Sequence, residues 1–299
     1  MDTDNNNKLK KTGSLPAWLC IIVFLIGISV VSGILSLFVN ILLGPRIFQG
    51  WVHFHVLPNL VNESVLLISV LGIAAAMLYF GEDLKLSSLG LSRKGRTGDF
   101  FMGFVVAALV MGIGFYVLLK MGQIGIVRVR FQSTEFVLCL VLYLVVAFAE
   151  EMSIRGYILG RMLRTNMNKY WALIISALIF SMMHVFNSHV AFIPLFNIFL
   201  AGLLLGGTYI YTKNLWYPIS LHLFWNFIQG PVLGFQVSGK ENFLSVIKIK
   251  RPSDTLLNGG SFGFEGSIVC TLLLIVFIVL TIWIMENKQK NKAMMNAAE

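Results

Sequence analysis

Eight apolar runs follow one another along this chain, at 17–43, 60–80, 100–119, 136–159, 171–186, 195–211, 215–233 and 267–285. Most come close to the roughly 20 apolar residues a helix needs to cross the hydrocarbon core of a bilayer. Lipid offers the backbone no hydrogen-bond partners, and continuously apolar runs satisfy their own amides and carbonyls only as helices. The loops between the runs are short. The expected fold is all-α: a polytopic membrane bundle of about eight transmembrane helices. Residues 17–286 form this single bundle, with residues 1–16 and 287–299 as polar tails.

Composition agrees. The 299 residues are 57% hydrophobic and only 12% charged, against about 25% charged in soluble domains. The net charge is +9, but Lys and Arg sit in loops and tails. Such a distribution suits topology signals and contact with anionic lipid rather than nucleic acid. The larger basic share falls on the side of the chain ends, at Lys8, Lys10, Lys11, Arg93, Lys94, Arg96, Arg161 and Arg164 among others. Both termini are therefore expected in the cytoplasm, with an even number of spans. Segment 236–266 runs against the bias with Lys240, Lys248, Lys250 and Arg251. It is glycine-rich and is expected to be flexible. Cys20, Cys139 and Cys270 lie in apolar runs at spacings that suggest neither a metal site nor a disulfide framework. The first run is too long for a cleaved signal peptide and reads as a retained anchor.

Ionisable groups inside apolar runs are costly and need a partner or a task. Glu150, Glu151 and Arg155 lie in the fourth run, His184 ends the fifth, and His222 and Asn226 lie in the seventh. Glu151 and Arg155 are four apart and share a helix face, so they can pair. Glu150 is rotated about 100° away and points elsewhere. His222 and Asn226 share a face, as do Phe180 and His184. Polar groups in spans also serve as interhelical glue, at roughly 0.6 kcal/mol each. Three such spots on three runs favour catalysis or transport over glue alone.

One carboxylate, two imidazoles and an amide can hydrolyse a peptide bond in two ways. Glu150 can act as general base on a water held by His184, with His222 and Asn226 donating to the oxyanion. Alternatively, Glu150, His184 and His222 can ligate a divalent metal, zinc by donor type, that activates the water. The residues suit both.

Other motifs carry less. There is no His-Glu-x-x-His. Gly259–Gly263 matches Gly-x-Ser-x-Gly, but in a loop without the strand and helix a nucleophilic serine needs. His53 and His55 beside Trp51 read as an interfacial aromatic cluster, and His189 as an exposed helix end. Asn62 opens a glycosylation sequon, relevant only in a lumenal loop.

Taken in order, Glu-Glu-x-x-x-Arg (Glu150, Glu151, Arg155), Phe-x-x-x-His (Phe180, His184) and His-x-x-x-Asn (His222, Asn226) resemble the CAAX prenyl protease type 2 family. This family includes the bacteriocin-processing intramembrane proteases. The resemblance covers about residues 136–233, the implied protease core, and Arg155-Gly156 also suits it. Ile154 stands where many members carry Phe, a departure expected to affect packing. The resemblance implies eight helices with the site on the fourth, fifth and seventh. It also implies endopeptidase activity on a membrane-associated protein or peptide. Glu150 would be the catalytic carboxylate, supported by Glu151 and Arg155. His184 would share the water or metal, and His222 and Asn226 would hold the metal or oxyanion. Both metal-dependent and glutamate-dependent members are described. The short loops and lysine-rich N-terminus suggest a bacterial member in the plasma membrane, for which a prenylated substrate is not expected and bacteriocin immunity is one known association. The competing classes are a non-catalytic immunity or scaffold protein and a proton-coupled transporter, for which no inverted repeat stands out. One difficulty follows from straight spans: Glu150 lies two-thirds along its run and His184 near the far end of the next. A tilt, a short fifth helix or a water-filled cavity is needed to bring them level.

Overall fold

A computed structural model describes residues 15–50, 56–240 and 243–298. Lys8, Lys10, Lys11, Trp51, His53 and His55 lie outside the described residues, as does most of the N-terminal tail. Eight helices match the eight apolar runs: α1 (Ala17–Gly50), α2 (Leu57–Glu82), α3 (Thr97–Lys120), α4 (Ser133–Leu163), α5 (Lys169–Met182), α6 (Phe192–Thr212), α7 (Trp216–Phe227, continued by a wide turn Ile228–Val232) and α8 (Ile268–Ala298). Six are long and apolar enough to cross a bilayer, and α5 and α7 are shorter. The chain is a multi-pass membrane protein of the expected all-α class.

The helices pack as α1 on α2, α2 on α4, α4 and α3 on α7, α5 on α6, and α6 on α8. The lipid-facing helices carry their apolar side chains outward: Ile34, Leu37, Phe38 and Ile41 on α1 and Leu272, Val279 and Trp283 on α8 are exposed. In water such a surface would be an aggregation hazard, and in acyl chains it is the ordinary exterior. Along α4, by contrast, every residue from Glu151 to Met162 is buried, so this helix is the axis of the molecule.

Two short elements were not foreseen. β1 (Gly125–Val129) and β2 (Ile247–Lys250) pair antiparallel at the end of the bundle away from the chain termini. The glycine-rich segment expected to be flexible is instead folded over that end. Phe262 and Phe264 are buried, Asn258 Nδ2 donates to the Gln123 and Ser253 carbonyls, and Asn197 Nδ2 donates to those of Glu265 and Ser267. Glycine makes this possible: Gly263 has φ +97°, and a Cβ there would stand 2.1 Å from the Gln236 carbonyl oxygen. What reads as loop composition is the chemistry of tight turns over an aromatic core. Asn62, the sequon residue, falls inside helix α2 rather than in a loop.

The depth difficulty resolves in the lengths of α4, α5 and α7. Helix α4 runs on to Leu163, so Glu150 stands 13 residues before its end, and His184 stands 15 residues after Lys169. At 1.5 Å per residue both lie roughly 20 Å from the same end of the bundle. Helix α7 begins deep. The Leu215 amide donates to the Gly90 carbonyl (2.9 Å), Asn214 Nδ2 donates to that of Ser92 (2.9 Å), and Leu89 is fully buried beneath. The α2–α3 connection thus forms a plug that lifts α7 and brings His222 level with Glu151.

Candidate active site

Helix α4 delivers both glutamates at the end of its regular part, and a wide-turned stretch, Met152–Leu159, begins directly after them. Ser153 Oγ donates to the Glu150 carbonyl at 3.0 Å, a local bond that competes with the helical ladder and loosens it. Wide turns of this kind recur at functional sites because they re-aim side chains.

Glu151 and Arg155 pair as expected, and both side chains are fully buried. Arg155 Nη1 donates to Glu151 Oε1 at 2.8 Å, and Nη2 to the Gly202 carbonyl at 3.2 Å. Gly202 permits that reach. Its Cβ would lie 2.9 Å from that of Ala177, so α5 and α6 cross at a distance no larger residue allows. The guanidinium also stacks on Phe180, 4.4 Å from its ring centre, and the same ring meets His184 and His222 edge-on at 4.9 and 6.1 Å. Phe180 is therefore the wedge among three site residues, a role its place in a spacing motif did not disclose.

The histidine geometry fixes which nitrogens are available. His222 Nδ1 stands 2.7 Å from Glu151 Oε1. A carboxylate only accepts, so Nδ1 carries the proton and Nε2 is the nitrogen left for chemistry. Nε2 lies 3.8 Å from Glu150 Oε2, and Oε2 is buried without a protein partner. His184 Nδ1 lies 2.9 Å from the Phe180 carbonyl oxygen, which likewise assigns the proton to Nδ1 and frees Nε2. His222 was expected to act with Asn226 on the oxyanion, or with Glu150 and His184 on a metal. The structure adds Glu151 as its anchor.

Glu150, His184, His222 and Asn226 line one cavity of about 360 Å³, within the size range of small-ligand sites. Glu151 and Arg155 do not line it and stand behind it. Ile154 is fully buried at its wall. The cavity is also lined by Glu63 of α2, by Trp225, by Ser238 and Lys240, and by Glu265. The Glu265 carboxylate accepts from Trp225 Nε1 (3.0 Å) and from the Ser238 amide and hydroxyl (2.8 and 3.0 Å). Sequence reasoning missed these residues. Glu63 carried a usable signal, being a carboxylate inside the second apolar run. Glu265 carried none, since its loop position gives no hint of burial.

Among the described residues no three His, Cys, Asp or Glu side chains are grouped as ligands of one ion, and Glu150, His184 and His222 are no exception. Ser261, centre of the Gly-x-Ser-x-Gly match, donates to Asp254 Oδ2 at 2.9 Å in a loop of short turns, and no imidazole among the described residues bonds to it. His189 is exposed, and the three cysteines are buried and free.

Residues 132–228, about a third of the chain, match the family described as "Type II CAAX prenyl endopeptidase Rce1-like". The segment holds all seven motif residues from Glu150 to Asn226 and bears out the resemblance read from them. No curated protein and no solved structure matches the chain.

Proposed function

We propose that this protein is an intramembrane endopeptidase of the CAAX protease type, which hydrolyses a peptide bond of a membrane-associated protein or peptide with a water activated by Glu150. The single observation carrying the reading is that Glu150 presents a buried, unpartnered carboxylate oxygen to the same cavity as two imidazoles, each with its outer nitrogen free. The family match over residues 132–228 supports the reaction class.

Each residue takes a role that its hydrogen bonds allow. His184, with its proton on Nδ1, offers Nε2 as an acceptor for one water proton and holds the nucleophile. Glu150 takes the other proton as the water oxygen attacks the scissile carbonyl carbon. The charge that develops on the carbonyl oxygen is met by the Asn226 amide and by His222, which donates from Nε2 when its ring is protonated. The Glu151 carboxylate accepts from the other ring nitrogen and holds the ring in place. When the C–N bond breaks, Glu150 returns its proton to the departing amine. Water is thus divided between the two products, as OH on carbon and H on nitrogen. Arg155 prevents Glu151 from standing as an unpaired buried charge.

The test is cleavage of membrane peptides by purified protein in lipid. Glu150→Gln, which keeps shape and removes the base, should lower the rate by about a thousandfold. His184→Ala and His222→Ala should also abolish useful turnover. Activity retained in all three variants, at normal protein levels, would leave a binding or immunity role as the better reading.

A further inference from the structure

The β1–β2 ribbon carries a charge pattern that its own stability does not explain. In its register Arg128 stands directly opposite Lys248, and Lys250 lies opposite Gly125 on the same face. Like charges paired across an antiparallel ladder destabilise it, and a two-stranded ribbon has little stability to spare. Val129 and Ile247, and Ile126 and Ile249, pair on the other face. Arg128, Arg130, Lys248 and Lys250 are exposed, and among the described residues none makes an ion pair or a side-chain hydrogen bond. Arg251 next door, by contrast, pairs with Asp254 at 3.0 Å and donates to Gln236 at 2.8 Å. An acidic side chain is therefore available nearby, yet among the described residues none pairs with the cations of the ribbon.

These cations border a groove. Arg128, Arg130 and Lys248 line it together with Gln132, Phe136 and Phe243, and Phe243 also lines the cavity that holds Glu150. The groove and the cavity thus share a wall, and their charges are opposite. Glu63, Glu150 and Glu265 line the cavity, with Lys240 as the one Lys or Arg among the described lining residues. An acidic stretch of peptide is repelled by the cavity and attracted by the ribbon.

We propose that the ribbon is a docking subsite for an acidic segment of the substrate, which holds it by charge while neutral or apolar residues of the same chain pass Phe243 to the scissile position. This rests on the peptidase reading and adds the substrate class to it. The shared wall favours a substrate segment over a lipid headgroup, since a headgroup bound at the ribbon gains nothing from continuity with the cavity.

Full-length Glu150→Gln protein in phosphatidylcholine nanodiscs provides the test. It is titrated with two fluorescent peptides that share an apolar half and differ in a flank of glutamates or of glutamines. The glutamate peptide should bind at least about tenfold tighter at low salt, and the preference should shrink as salt screens it. In Arg128→Gln/Arg130→Gln/Lys248→Gln/Lys250→Gln protein the preference should vanish while binding of the glutamine peptide is unchanged. Equal binding of both peptides to the unaltered ribbon overturns the proposal. So does a preference that disappears in phosphatidylglycerol nanodiscs, if these raise the melting temperature only when the ribbon is intact; the ribbon would then be a lipid site. The pair Arg128→Gln/Lys248→Gln should melt at or above the parent protein, and a lower melting temperature overturns the premise of repulsion. Binding is read without turnover, so failure here leaves the peptidase reading untouched. Absence of cleavage by the unaltered enzyme would fall on that reading instead.

Discussion

A carboxylate earns its burial in lipid by what it touches, and the two adjacent glutamates do so differently. Glu151 is fully buried, and its Oε1 accepts from both Arg155 and His222. Removing one partner of such a pair leaves an uncompensated charge in a dry interior, at a cost of about 3–5 kcal/mol. Arg155→Ala should therefore destabilise the protein on that scale, as read by thermal melting in detergent, although Arg155 never meets the cavity. Glu150 accepts no hydrogen bond at Oε2, and its nearest ionisable neighbour there, His222 Nε2, stands 3.8 Å away, so Glu150→Gln should leave melting within about 1 kcal/mol of the parent, the usual range for a substitution that breaks no buried hydrogen-bonded pair. Equal destabilisation by the two changes would mean that Glu150 is structural and would remove the distinction on which its catalytic role depends. His222 stands between the two classes. His222→Ala strands one Glu151 contact and should lose both stability and turnover.

The elements that hold these residues were legible to unequal degrees. All eight helices could be read from apolar runs, because lipid permits the backbone little else. The pairing of Glu151 with Arg155 followed from helical spacing. The bond from Glu151 to His222 did not, because it spans 71 positions of sequence and depends on how high α7 sits. That height is set by Leu89 and Gly90 in the α2–α3 connection, whose burial leaves no trace in composition. Glu63 was legible and overlooked. Glu265 and the folding of its glycine-rich segment were not, since glycine marks both mobile loops and tight turns. The close crossing of α5 and α6 has a direct test. Gly202→Leu forces its side chain into Ala177 and pushes α6 away from the Arg155 guanidinium. Overpacking of this kind costs about 1–3 kcal/mol. Proteolytic cleavage by this variant should fall more than its melting temperature alone explains, because the support behind Glu151 moves with the helix. Full activity in a folded Gly202→Leu protein would show that the crossing does not position the site.

At the scale of the whole molecule, the helices place the start of α1 and the end of α8 on one face and the basic ribbon on the other. Charge bias alone was a weak guide to this, since the ribbon puts Arg128, Arg130, Lys248 and Lys250 on the face that should be poorer in cations. If these cations serve a docking task, they do not count against the expected orientation with cytoplasmic termini. Cysteine labelling separates the possibilities with little background, because Cys20, Cys139 and Cys270 are all buried. Val127 on β1 is about half exposed at 52%, and Lys292 lies on the exposed end of α8. A membrane-impermeant maleimide applied to intact cells should label Val127→Cys at once and Lys292→Cys only after permeabilisation. Labelling of both from outside would break the even-span architecture. Labelling of Lys292→Cys alone would invert the protein and place the ribbon on the cytoplasmic side.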